Sequence, residues 1–184
     1  MIVRGDKREG SGMATVITRE TSVRRAVPLA PDWLDRVLSA GAVILLLAAL
    51  AAIARGAADW GKVPTVIWLH LFTILIATAL TPVMLLRRRG DRAHRRIGTV
   101  WVAAMLATAV TSLFIHVSGP GHFSFIHILS AWTLIQVPVI WWSARTHDIA
   151  RHRGSVRGMV IGALLIAGFF TFPFHRLLGT WLFG

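Results

Sequence analysis

Eight histidines stand in a chain of 184 residues whose apolar runs hold few other polar groups. Imidazole can ligate a metal through a neutral nitrogen or carry a proton near neutral pH. His70, His116 and His127 fall in or beside three different apolar runs. If those runs are helices crossing a bilayer, His70 lies ~7.5 Å and His127 ~9 Å from the mid-plane on the same side, at 1.5 Å per residue. His116 lies nearer that surface, ~13 Å from its span centre. Two facing imidazoles at matched depth suit the axial positions of a b-type haem held in a helical bundle. The same three residues suit a three-histidine Zn²⁺ site with water as fourth ligand. A plainer role is interhelical hydrogen bonding to Ser112, Ser124 or Ser130.

A second pair differs in setting. His94 belongs to the run Asp91-Arg92-Ala93-His94-Arg95-Arg96, and His152 to Arg151-His152-Arg153. His94, Arg95, Arg96, His152 and Arg153 read as a solvated surface or a pocket for an anionic headgroup. Guanidinium neighbours disfavour a protonated imidazole there. His122 lies in the Gly119-Pro120-Gly121 turn region, and His175 follows Pro173.

The elements that must position these residues are apolar and long. Cores run over 37–53, 63–86, 97–117, 123–142 and 159–174. About 20 apolar residues cross the hydrocarbon layer as a helix, and lipid permits no other open-ended backbone there. The expected fold is therefore an all-α polytopic membrane bundle of five transmembrane helices, at about 35–55, 63–86, 97–117, 123–143 and 156–174. Residues 1–31, polar and ending in Pro28 and Pro31, read as a disordered cytoplasmic tail before a transmembrane domain over 32–184. Met1 and Met13 are both plausible starts.

Lys and Arg set the orientation. Seventeen of them lie in the N-terminal stretch and in the loops after the second and fourth cores, against Arg55, Lys62 and Arg176 on the other side. The N-terminus is expected inside and the C-terminus outside, in a bacterial inner membrane. The formal charge of +12 belongs with anionic lipid headgroups at the boundaries and not with nucleic acid.

Small and polar residues recur on single helical faces. These are His70, Thr73, Ala77 and Thr81; then Ala104, Thr108, Ser112 and His116; then His127, Ser130 and Leu134. They are expected to face inward. Gly154, Gly158 and Gly162 offer a small-x-x-x-small face for close helix approach. Trp68, Trp101, Trp141, Trp142 and Trp181 are expected as interfacial anchors, with local kinks at Pro82 and Pro138.

Several separated motifs resemble a family of bacterial predicted membrane proteins with no assigned function. They include Leu86-Arg87-Arg88-Arg89-Gly90, His94-Arg95-Arg96-Ile97-Gly98-Thr99-Val100-Trp101, Ser112-Leu113-Phe114-Ile115-His116, Phe123-Ser124-Phe125-Ile126-His127 and Leu177-Leu178-Gly179. The resemblance spans roughly residues 60–184. It implies the polytopic topology and draws attention to His70, His94, His116, His127 and His152, and it implies no activity. Where the family's fifth span opens with a His-Arg-Arg-x-Met-like run, this chain has His152-Arg153-Gly154-Ser155-Val156.

Zero cysteines exclude disulfides, thiolate ligands and covalent haem attachment. All eight acidic residues lie outside the apolar cores, which disfavours carboxylate-based transport or hydrolysis. The first reading is an electron-transfer protein holding haem b through His70 and His127, with His116 beside them. The alternatives are a cofactor-free membrane accessory subunit or lipid- or small-molecule-binding protein, and a Zn site. A homo-oligomer or a membrane complex partner is compatible with each.

Overall fold

Residues 30–115, 125–173 and 175–184 are described by the computed structural model, and all regular structure in them is helical. Asp32 starts the bundle. Its carboxylate accepts from the Asp35 amide while the Asp35 carboxylate accepts from the Asp32 amide, a reciprocal cap that fixes the start of α1 (Trp33–Arg55). A 3₁₀ segment (Ala57–Lys62) then leads through Pro64 into α2 (Thr65–Leu86). Asp91 caps α3 (Arg92–Ser112) through the His94 amide. Next comes α4 (Phe125–Arg145), and Asp148 caps α5 (Ile149–Met159) through the Arg151 amide.

The helices run alternately up and down, each packed on its chain neighbour. One end of the bundle gathers the starts of α1, α3 and α5 with most of the arginines, and is called the arginine end below. The fifth span expected over 156–174 is not one continuous α-helix. After α5 the chain passes through a π-helical stretch (Val160–Ile166) into the short α6 (Ala167–Phe169). Such wide turns are uncommon and often border functional sites. The π stretch packs on α1, α2 and α4 and closes the ring.

A last helix, α7 (Leu177–Phe183), folds back on the far end of α1. Its Trp181 ring rests on Gly56, where even a Cβ would collide with the indole, and it also meets Trp68 with ring centroids 6.2 Å apart.

The core follows the inward faces read from the sequence. Thr73, Ala77, Thr81, Ala104, Thr108, Ser112 and Ser130 are all buried. Thr108 donates to Thr73 Oγ1 at 2.9 Å, and the Ser112 and Ser130 hydroxyls meet at 2.5 Å. The outer surface is apolar: Ile44, Leu47, Phe72, Ile128, Ile135 and Phe169 are exposed on different helices. Water would not leave so much apolar surface uncovered on a monomer. Among the described residues, two helices, α1 and α2, are long and apolar enough to cross a membrane. Arginines occupy the first turn and a half of α3, and the α5–α6 region is interrupted.

Two expectations are corrected. Trp101 is not an interfacial anchor but 1 % exposed, and its Nε1 donates to Thr81 Oγ1 at 3.0 Å. Nine residues separate it from the start of α3, ~13.5 Å along the axis, and that depth puts it in the core. Within the chain, Gly154 and Gly158 give no close approach, since a Cβ at either would meet no atom within 4 Å. Only Gly162 of that series packs tightly, since a Cβ there would lie 3.1 Å from the Trp132 ring. The reason is that the π stretch changes the angular register between Gly158 and Gly162. Residues 1–29 of the tail expected over 1–31, Met13 among them, lie outside the described residues.

Candidate functional site

Two places in the bundle could do chemistry, one at each end. At the arginine end the sequence brings three guanidinium groups from two segments, the α2–α3 loop and α5, onto one buried carboxylate. The Asp35 side chain is fully buried. Its Oδ2 accepts from Arg89 Nη2 at 2.5 Å and from Arg153 Nη2 at 3.2 Å. Its Oδ1 accepts from Arg157 Nε at 2.9 Å and Nη2 at 2.8 Å. Asp32 takes Arg157 Nη2 at 2.5 Å and Arg153 Nη2 at 2.6 Å. Arg153 and Arg157 are four residues apart on α5 and so share a face. Arg89 comes from the α2–α3 loop and also donates to the Ala30 carbonyl at 2.9 Å. The Arg157 hydrogen bond leads the effects that hold the Asp32 carboxyl well below the usual carboxylate range.

His94 and His152 line the same spot with Arg89, Arg153, Arg157 and Asp35, around a cavity of ≈ 20 Å³. That is room for one water-sized group, not for a lipid phosphate. His152 Nδ1 donates to the Ile140 carbonyl at 3.1 Å, which ties α5 to α4. Burial is the main cause that pushes both imidazoles below their ordinary range, and the nearby Arg89 charge adds to it. Of the five residues proposed for anion binding, His94, His152 and Arg153 come together here. Arg95 and Arg96 stand apart, exposed on α3, and Arg153 is already committed to Asp32 and Asp35.

Because a depressed histidine binds its proton less readily folded than unfolded, the sign of its pH effect is fixed. The contribution of His94 and His152 is complete above the unfolded value near 6.5 and is lost as pH falls below it towards the folded values. Thermal melts in neutral detergent should show the melting temperature falling between pH 7.5 and 5.5. His94→Asn with His152→Asn should flatten that fall, whereas an unchanged slope would show that carboxylates carry it.

At the other end lies a cavity of ≈ 1080 Å³, at the top of the range for small-molecule sites. Its walls come from α1 (Leu45, Leu46, Ala49), α2 (Ile67, His70, Leu71, Ile74, Leu75, Thr78), α3 (Met105, Thr108, Ser112), α4 (Ser130, Thr133) and the π stretch (Ala163, Leu164). The mouth is formed by Asp59, Lys62, His175, Arg176 and α7.

His70 is placed with a defined tautomer. Its Nδ1 lies 3.1 Å from the Thr108 carbonyl, an acceptor only, so Nδ1 carries the proton and Nε2 keeps its lone pair. Thr111 Oγ1 is a further neighbour at 3.3 Å.

His127 does not line this cavity, so the pair proposed as haem ligands is not gathered around it. His116 and His122 lie outside the described residues. Among those described, no group of three His, Asp or Glu is disposed to hold a metal ion. His175, in the left-handed region at φ 54°, is exposed at the mouth.

A family model described as "Predicted membrane protein (DUF2306)" matches residues 67–170, more than half of the chain. The chain belongs to the DUF2306 family. It is a family of predicted membrane proteins of unknown function, which agrees with the resemblance read from the motifs. The matched segment holds His70, Arg89, His94, His152, Arg153 and Arg157. Asp32 and Asp35, the anions of the arginine end, precede it. No curated protein and no solved structure matches the chain.

Proposed function

We propose that this DUF2306 protein is a multi-pass inner-membrane protein that holds a hydrophobic small molecule or lipid in the cavity lined by His70. The cavity is the observation that carries the reading. It is large and apolar, reaches across five elements, and opens at the end away from the arginines.

The topology in this reading has five membrane passes, the fifth interrupted by the π stretch. The N-terminus is inside and the C-terminus outside. Exposed Arg87, Arg88, Arg92, Arg95, Arg96, Arg145 and Arg151 support it, because such residues meet anionic headgroups on the cytoplasmic side. Reporter fusions at Arg89 and Thr146 should report cytoplasm, and one at Gly184 the outside. A cytoplasmic C-terminus would contradict the topology.

In neutral detergent, a total membrane lipid extract should raise the melting temperature of the wild-type protein. It should not raise that of Ala163→Phe, whose ring projects from the π-helical wall. Equal stabilisation of the two would place the lipid outside the cavity.

A second reading keeps haem b, because the fixed His70 tautomer is the arrangement found in ligating histidines, where the second nitrogen donates to a carbonyl. His70 would then be one axial ligand, with the other not supplied by His127 as placed. A reduced-minus-oxidised spectrum of the same preparation decides it, since a colourless protein from haem-replete cells contradicts haem.

A further inference from the structure

We infer that the occupant of the cavity is a long-chain amphiphile with an anionic head, a carboxylate or a phosphate, lying head-out at the mouth. This rests on the cavity-binding reading above and narrows it to one chemical class.

The shape argues for a chain. Lining residues run from Pro64, at the head of α2, to Thr78 within it, fourteen positions or ~21 Å along the helix. Leu71, Ile74, Met105 and Leu164 line the deep part.

The polar groups argue for the direction. Deep in the cavity the hydroxyls are already paired: Thr108 with Thr73, and Ser112 with Ser130. His70 Nε2 is the exception, and it is an acceptor. A charged head placed there would lose its hydration with no donor to replace it.

At the mouth the balance reverses. Lys62 and Arg176 are cationic, and the single carboxylate of the lining, Asp59, is engaged by Lys62 at 2.6 Å. Arg176 has no carboxylate within ion-pair distance among the described residues. One net positive charge therefore faces the opening, and a guanidinium suits a carboxylate or phosphate through paired N–H donors.

Native mass spectrometry of the full-length protein in neutral detergent tests the assignment with hexadecanoate, hexadecyl phosphate and hexadecanol. Both anions should bind on the order of tenfold tighter than the alcohol, about the factor of one charge-assisted contact. Comparing the two anions shows which head is preferred. Arg176→Gln should remove most of that preference and leave hexadecanol binding unchanged. Ala163→Phe, or Leu75→Trp from the facing wall, should weaken all three.

Equal binding of alcohol and anions would overturn the anionic class, and a preference that survives Arg176→Gln would overturn the placement of the head at the mouth beside Arg176; either leaves the cavity reading intact. Failure of all three probes to bind wild type would overturn both. So would binding that is indifferent to both cavity-filling variants.

Discussion

Asp35→Ala should cost about 3–5 kcal/mol, the penalty for stranding buried partners of an ion pair. Three guanidinium groups converge on this fully buried carboxylate. Removing it leaves Arg89, Arg153 and Arg157 together with only Asp32 to balance them. It also removes half of the reciprocal cap of α1, worth about 1 kcal/mol by itself.

Thermal melting of the purified protein, or its resistance to unfolding by dodecyl sulfate, should show a large loss. Asp35→Asn, which keeps acceptor oxygen but not charge, should fall between. The double change Asp35→Leu with Arg157→Met should recover part of the loss, because a buried pair replaced as a unit leaves no uncompensated charge from that pair. If Asp35→Ala melts with the wild type, the cluster is not buried as described.

Trp101→Ala should be comparably damaging, at about 3–5 kcal/mol for a large aromatic removed from a packed core. Trp101→Phe should cost less, since it keeps most of the contact and loses only the hydrogen bond to Thr81. An interfacial anchor would behave differently. Its truncation would be tolerated in the melt, because a side chain at the headgroup level packs against lipid and water and not within the buried cluster that holds Trp101, Met105 and Ile140. Near-wild-type stability of Trp101→Ala would restore the anchoring role.

The two predictions mark what could and could not be read from residue order. Periodicity was sufficient for the inward faces of α2, α3 and α4, because a threonine or alanine every third or fourth position has one consistent side. It also brought His70 into the bundle interior. Asp32 and Asp35 carry a cap signature that sequence reasoning passed over, an acid three residues before another at the head of an apolar run. The four-residue spacing of Arg153 and Arg157, likewise passed over, puts them on one face. Their convergence was not legible, because nothing in local spacing says that the α2–α3 loop and α5 meet the start of α1.

The π stretch is similarly silent. Val160–Ile166 is apolar and small, and it reads as ordinary helix until neighbouring packing widens its turn. Trp101 misled for the opposite reason: position along a span was taken as depth in the membrane, while the arginines of the preceding turns already extend the helix outward. The ≈ 1080 Å³ cavity was not legible at all, since an empty volume depends on where helices stop touching.

The division of labour between the two ends follows from these placements. Carboxylates and arginines lock the starts of α1 and α5 to the α2–α3 loop at one end. At the other, α7 is pinned through Trp181 on Gly56, and the helices between them stand apart. A rigid closed end and a spacious open end suit a protein that holds a molecule within the membrane.

The claim that the cavity is a binding site is tested most directly by native mass spectrometry of protein extracted from its own membranes into neutral detergent. The expected spectrum shows the wild-type chain carrying one amphiphile-sized adduct that persists through collisional removal of detergent, with Ala163→Phe at the bare chain mass. A wild-type chain at its bare mass, or the same adduct on both proteins, would contradict it.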